Sequence, residues 1–175
     1  AQEGTVSPYS FYGIGNLKFK GTAENRAMAG ISVYSDSIHL SIQNPAGVAN
    51  LKLVNYTVGG SHKFETLRTT DQKEQATTTS LDYLAIGVPL SDKFGASFGL
   101  IPYTSVGYQL KDESEDATTE YTGTGGLNKA FLTLAYKITD GLSVGIDANY
   151  NFGNIENNAT ARLNDVQYGT RELNR

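Results

Sequence analysis

The chain has no cysteine and no tryptophan, and only one methionine and two histidines among 175 residues. Without cysteine there is no disulfide framework, no thiolate metal site and no lipidated N-terminal Cys. No apolar run approaches the ~20 residues a membrane helix needs. That leaves membrane-spanning strands open, because a barrel strand needs only ~10 alternating residues. Basic residues are scarce, 14 against 18 acidic, for a net charge of -4. That balance argues against a nucleic-acid partner, which favours a basic face. No basic, apolar leader is visible, and Ala1-Gln2-Glu3 reads as a mature end with its signal peptide already removed. Tyr (11), Gly (19) and Thr are plentiful. They suit strands, hairpin bends and membrane-interface positions.

The organising signal is a period of two. Val144, Ile146, Ala148, Tyr150 and Phe152 share one parity, and Gly145, Asp147, Asn149 and Asn151 share the other. Successive strand side chains point to opposite faces, so this segment has one apolar and one polar face. The same alternation runs through Val54–Phe64, Leu84–Leu90, Phe94–Leu110 and Leu132–Ile138. On that parity Tyr56, Tyr108, Tyr136 and Tyr150 point outward, as interface or lipid-facing residues. Ser91-Asp92-Lys93 and Thr139-Asp140-Gly141 read as short turns, and the polar stretches Thr69–Thr79 and Asp112–Gly126 read as long loops. Alternating long and short connections match outer-membrane barrels, with long outer loops and short periplasmic turns. After Phe152 the chain turns polar, with Thr160–Tyr168 weakly strand-like.

The expected fold is all-β: an antiparallel up-and-down transmembrane β-barrel, partial, with an irregular N-terminal plug. Residues 1–50 form the plug, broken by Gly and Pro, with one helical turn over Thr22–Met28 capped by Thr22. Residues 51–175 form the first strands. About five strands are legible, fewer than the ~8 that close the smallest barrel, so the chain reads as truncated.

No catalytic, metal or cofactor chemistry is expected. Gly95-Ala96-Ser97-Phe98-Gly99 has the spacing of a nucleophile elbow, but the alternation runs straight through it and both histidines come earlier. His39 and His62 have no second ligand nearby. The acidic run Asp112–Asp116 lacks calcium-loop spacing and reads as a solvated loop. Gly123-Thr124-Gly125-Gly126 has no following Lys-Ser/Thr, so it is no phosphate cradle.

Three stretches carry a family resemblance: Asn25–Gly30, Tyr34–Ser37 and Asn44-Pro45-Ala46-Gly47 together; Gly87-Val88-Pro89-Leu90 with Asp92-Lys93; and Gly99–Tyr103 through Val106-Gly107-Tyr108. In order and spacing they resemble the N-terminal part of the FadL-type outer-membrane transporters of long-chain fatty acids and hydrocarbons, in a divergent Bacteroidetes form. The resemblance implies a bacterial outer-membrane location and passive uptake of hydrophobic small molecules through a plugged lumen and a kinked wall, with exit sideways through a wall opening next to the kinked third strand. It makes Asn44, Pro45, Ala46 and Gly47 the plug motif, and Gly99 and Pro102 a kink in the wall, since Pro lacks a ladder N–H and Gly packs nothing. Implied partners are outer-membrane lipid and lipopolysaccharide, a hydrophobic ligand or detergent, and other outer-membrane proteins. Two alternatives stand beside transport. One is a FadL-like barrel that docks in a type IX secretion or other outer-membrane complex; the other is a soluble, secreted β-protein.

Overall fold

Strand alternation governs what forms. The computed structural model describes residues 5, 7–68, 73–114, 117–163 and 170–174, so the proposed mature end Ala1-Gln2-Glu3 lies outside it. The strands are β1 (Asn16–Leu17), β2 (Asn55–Arg68), β3 (Lys73–Pro89), β4 (Phe94–Pro102), β5 (Thr104–Glu113), β6 (Ala117–Thr139), β7 (Leu142–Leu163) and β8 (Thr170–Asn174). One short helix, α1 (Ala23–Ala27), and two 3-10 turns, Pro8–Phe11 and Pro45–Asn50, precede or interrupt them. All pairings are antiparallel, in a single eight-stranded sheet curled into a half-barrel.

The outer face is apolar. Leu132, Leu134 and Tyr136 of β6, Val144, Ile146 and Tyr150 of β7, Phe98 and Leu100 of β4 and Leu84 of β3 are exposed on it. Phe131, Thr133, Ala135, Ser97 and Ala85 point to the concave side and are buried. The apolar stripe of β7 runs from Leu142 to Phe152 and then stops. At ~3.3 Å per residue and a tilt near 45°, it spans roughly 25 Å, the height of an outer-membrane apolar band.

The strands do not stop there. The expected long loops are largely strand: β3 begins at Lys73, and β5 and β6 reach Glu113 and Ala117. Among the described residues the polar tail beyond Phe152 is likewise strand, β7 continuing to Leu163 and β8 following at Thr170–Asn174; the rest of the expected Thr160–Tyr168 segment lies outside the described residues. Backbone ladders continue past the apolar band because Thr-rich strands pair well when both faces are wet. Among the described residues the sheet therefore holds eight strands rather than about five.

Beside β6, β4 and β5 lie end to end on one side and β7 runs along the other. Pro102 faces Asn128 while Val106 faces Gly125, so four steps on one strand match three on β6. The extra residue at Tyr103 flips the side-chain parity, as a bulge does. Tyr108 consequently points inward rather than out. It is buried, its ring lies edge-on to Phe11, and its hydroxyl donates to Asn157 Oδ1 at 2.8 Å.

Candidate functional site: the plug and the broken wall strand

The first ~50 residues have too few periodic apolar side chains for a core of their own. Leu40, Ile42, Val48, Ala49 and Leu51 instead share one buried cluster with Tyr83, Ala85, Ile101, Phe131 and Ala135 of the wall. The core of this chain is the contact between plug and wall.

Local chemistry shapes the plug. Thr22 caps α1 in a reciprocal box with Asn25, whose side chain also donates to the Ile31 carbonyl at 2.9 Å. Asp36 accepts from the backbone N–H of Ile38 and His39 and pairs with His39 Nδ1 at 2.5 Å. That hydrogen bond, with the two backbone donors, lowers the Asp36 carboxyl to about 2 and raises the His39 imidazole.

Polar ties then fix the plug to the sheet. Lys20 Nζ lies 3.4 Å from Asp147 Oδ2, and Thr133 Oγ1 donates to Asp147 Oδ1 at 2.9 Å. Arg26 Nη1 lies 3.4 Å from Asp82 Oδ2, and the Ser61 hydroxyl donates to Asp82 Oδ1 at 2.9 Å. The Ala23 N–H donates to the Tyr83 hydroxyl at 3.1 Å. Such half-exposed ion pairs contribute ~1 kcal/mol at most, so packing rather than charge sets the plug's position.

The plug motif sits on the wall at two inward glycines. A Cβ on Gly95 of β4 would overlap the Val48 carbonyl, and one on Gly145 of β7 would come 2.6 Å from the Ala46 nitrogen. Pro45 opens the 3-10 turn that runs to Asn50, and the Asn44 carbonyl accepts from the Gly47 N–H at 3.1 Å. The Asn44 side chain caps nothing. The side-chain pin is Asn50, which donates to Ser35 Oγ at 2.9 Å.

Pro102 ends β4, and the break falls at Tyr103. Gly99 lies in regular pairing with Ala85 and Phe131 and lets β3 and β4 approach closely; it is no part of the break. Pairing between β3 and β4 ends at Leu84 opposite Leu100. Beyond it the wall splits, because among the described residues β3 from Lys73 to Tyr83 pairs only with β2.

The N-terminal segment lines the β5 bank of this breach. Asn16 and Leu17 pair with Ser105 and Thr104, Lys18 N–H donates to the Tyr103 carbonyl at 2.9 Å, and Gly107 N–H donates to Ser10 Oγ at 3.1 Å. Across the breach, Lys18 Nζ reaches Ser80 Oγ of β3 at 3.3 Å. A cavity of about 450 Å³ remains, lined by Thr79, Ser80 and Leu81 on one bank and Pro102, Thr104 and Ser105 on the other. The resemblance placed a wall opening beside the kinked third strand; the pattern of residues did not show it, because nothing local marks a strand that loses its neighbour. Pro102, which has no ladder N–H, was the available signal.

Ser97 lies in β4, paired with Gly87 and Thr133, on a strand rather than an elbow. Among the described residues no group of three His, Cys, Asp or Glu converges to hold a metal ion.

An antiparallel sheet with an apolar outer face, curled around its own N-terminal segment, defines the class, an all-β half-barrel wall. The family follows from comparison: the family model described as BamG matches residues 1–175, and the chain belongs to the BamG family. No curated protein and no solved structure matches it. Family membership brings an outer-membrane association and the company of other outer-membrane proteins.

The same match overturns the FadL-type assignment, and with it passive uptake of hydrophobic molecules. The physical reason lies in what the shared stretches encode. Asn44–Gly47 makes a turn, Gly87–Leu90 with Asp92-Lys93 makes a hairpin, and Gly99–Tyr108 makes an interrupted strand. These are requirements of backbone geometry in a plugged barrel, and they specify no substrate.

Proposed function

We propose that the chain is a non-enzymatic accessory wall of an outer-membrane complex that assembles other outer-membrane proteins. It docks partners and passes no solute. Family membership favours an assembly complex over a secretion system. The observation that carries the reading is the shared core of plug and wall. A transport plug must move. Withdrawing this one would expose Leu40, Ile42, Val48 and Leu51, which are 1–5% exposed. At ~1.5–3 kcal/mol per buried aliphatic side chain, that costs on the order of 5–10 kcal/mol, too much for routine opening. The plug acts as an internal strut that holds a curled wall in one shape. The outer apolar band meets membrane lipid, with lipopolysaccharide at its outer rim.

The test is isolation of the tagged full-length protein from outer membranes in mild detergent, followed by native sizing and mass spectrometry. Recovery in one stoichiometric particle with outer-membrane assembly proteins is expected. Recovery as a lone barrel would overturn the reading.

A further inference from the structure

The breach between β3 and β5 has two banks, and the chain treats them differently. The β5 bank is sealed by strand addition: the backbone groups of Tyr103, Ser105 and Gly107 are met by Lys18, Asn16 and Ser10 in turn. The β3 bank from Thr77 to Leu81 pairs with β2 on one side and, among the described residues, has no strand on the side that faces the breach, although Leu81 and Leu84 sit at the edge of the apolar band. A row of free backbone N–H and C=O groups is a template for another strand, and hydrocarbon tolerates it poorly.

Two further observations point to an occupant. Thr78 and Ser105, one on each bank, are 4% and 5% exposed, and neither hydroxyl has a hydrogen-bond partner. Leaving a buried hydroxyl unpaired is costly, so a pair of them marks a polar site awaiting a ligand. The segment that seals the β5 bank also presents Tyr12, Ile14 and Leu17 to its surroundings, at 73%, 44% and 67% exposure. The breach thus offers a free ladder, buried hydroxyls inside and apolar side chains alongside.

We propose that this breach is a strand-docking seam, in which an extended strand from a second outer-membrane polypeptide pairs antiparallel with Thr77–Leu81. Polar side chains of that strand point inward to Thr78 and Ser105, and its apolar side chains point outward in line with Leu81 and Leu84. Main-chain hydrogen bonds supply affinity and alternate side chains supply selectivity, as in other strand additions. The seam deepens the docking reading and rests on it.

The test uses the full-length protein in its own membrane, with the photo-crosslinking residue benzoylphenylalanine at Leu81 and, as a lipid-facing control, at Leu134. Single prolines are then placed at Thr77, Thr78, Thr79 and Ser80. Proline is tolerated on an edge where its missing N–H faced outward, and it breaks the wall where that N–H faced β2. The expected result is a discrete protein adduct from Leu81 only. The adduct should fall at least tenfold in alternate proline variants that still fold by heat-modifiable gel migration. An adduct that survives every folded proline variant, or one formed only with lipid or with this chain itself, would overturn the seam. If assembly proteins still co-purify at natural levels with those folded variants, the seam fails and the docking reading stands. If nothing co-purifies with the natural chain, both fall.

Discussion

Adding one methyl group at Gly145 is the sharpest way to separate plug from wall. The new Cβ of Gly145→Ala would sit 2.6 Å from the Ala46 nitrogen. Carbon contacts are comfortable at ~3.5–4.0 Å, so the plug backbone must retreat by roughly 1 Å. Both sides of the contact are backbone, and neither gives easily. Overpacking of this kind costs ~1–3 kcal/mol. Against a hold on the order of 5–10 kcal/mol, the plug stays seated but opens more often, by roughly 5- to 150-fold. The readout is trypsin cleavage at Lys20 or Arg26 in the purified full-length protein, with wall folding followed by heat-modifiable migration. Cleavage should rise by that factor while the wall stays folded. Gly141→Ala is the control, since nothing lies within 4 Å of a Cβ there. Equal cleavage in the two variants would show that the plug does not bear on Gly145. Loss of wall folding in Gly145→Ala alone would show that plug and wall cannot be separated.

Further expectations test the membrane face, the orientation and the plug's surface. Ile146→Arg, on the exposed apolar face, should cost ~2–4 kcal/mol in refolding into lipid, and Asn149→Arg on the concave side should cost far less; equal costs would refute the parity assignment. Protease added to intact cells should spare the short turns at Ser91–Lys93 and Thr139–Gly141 and cut at the opposite end of the hairpins; cutting at Lys93 would reverse the orientation. The His39 ring should titrate above 6.5 by NMR, and Asp36→Asn should lower its midpoint towards that value. Because its folded value is raised, His39 contributes stability fully present below pH 6.5 and lost as pH rises through the folded value. Asp36, lowered from 3.8 to about 2, contributes stability present above 3.8 and lost as pH falls towards 2.

Where one face of a strand is exposed and apolar and the other packs on the N-terminal segment, the alternation was plain in the residues. Leu132, Leu134, Val144 and Ile146 lie outside and Phe131, Thr133 and Ala135 inside. Where both faces are wet the signal vanished. Lys73–Ser80 and Ala117–Gly126 carry no apolar stripe, yet both are strand, and only their Thr content hinted at it. Tyr108 was misplaced because one inserted residue at Tyr103 flips every side chain beyond it. Gly95 and Gly145 were legible as strand residues, but not as seats, because their role depends on a turn roughly fifty residues away in one case and a hundred in the other. The seam was invisible for a related reason, since an edge is defined by a neighbour that is absent.

The central claim is that this chain serves assembly of other outer-membrane proteins rather than passage of solutes. The most direct measurement is depletion of the protein in its own cells, with two readouts taken together: the folded, heat-modifiable fraction of other outer-membrane barrels, and entry of a hydrophobic fluorescent probe. Depletion should lower the folded fraction of the other barrels before probe entry falls. Normal barrel folding with a prompt loss of probe entry would contradict the claim.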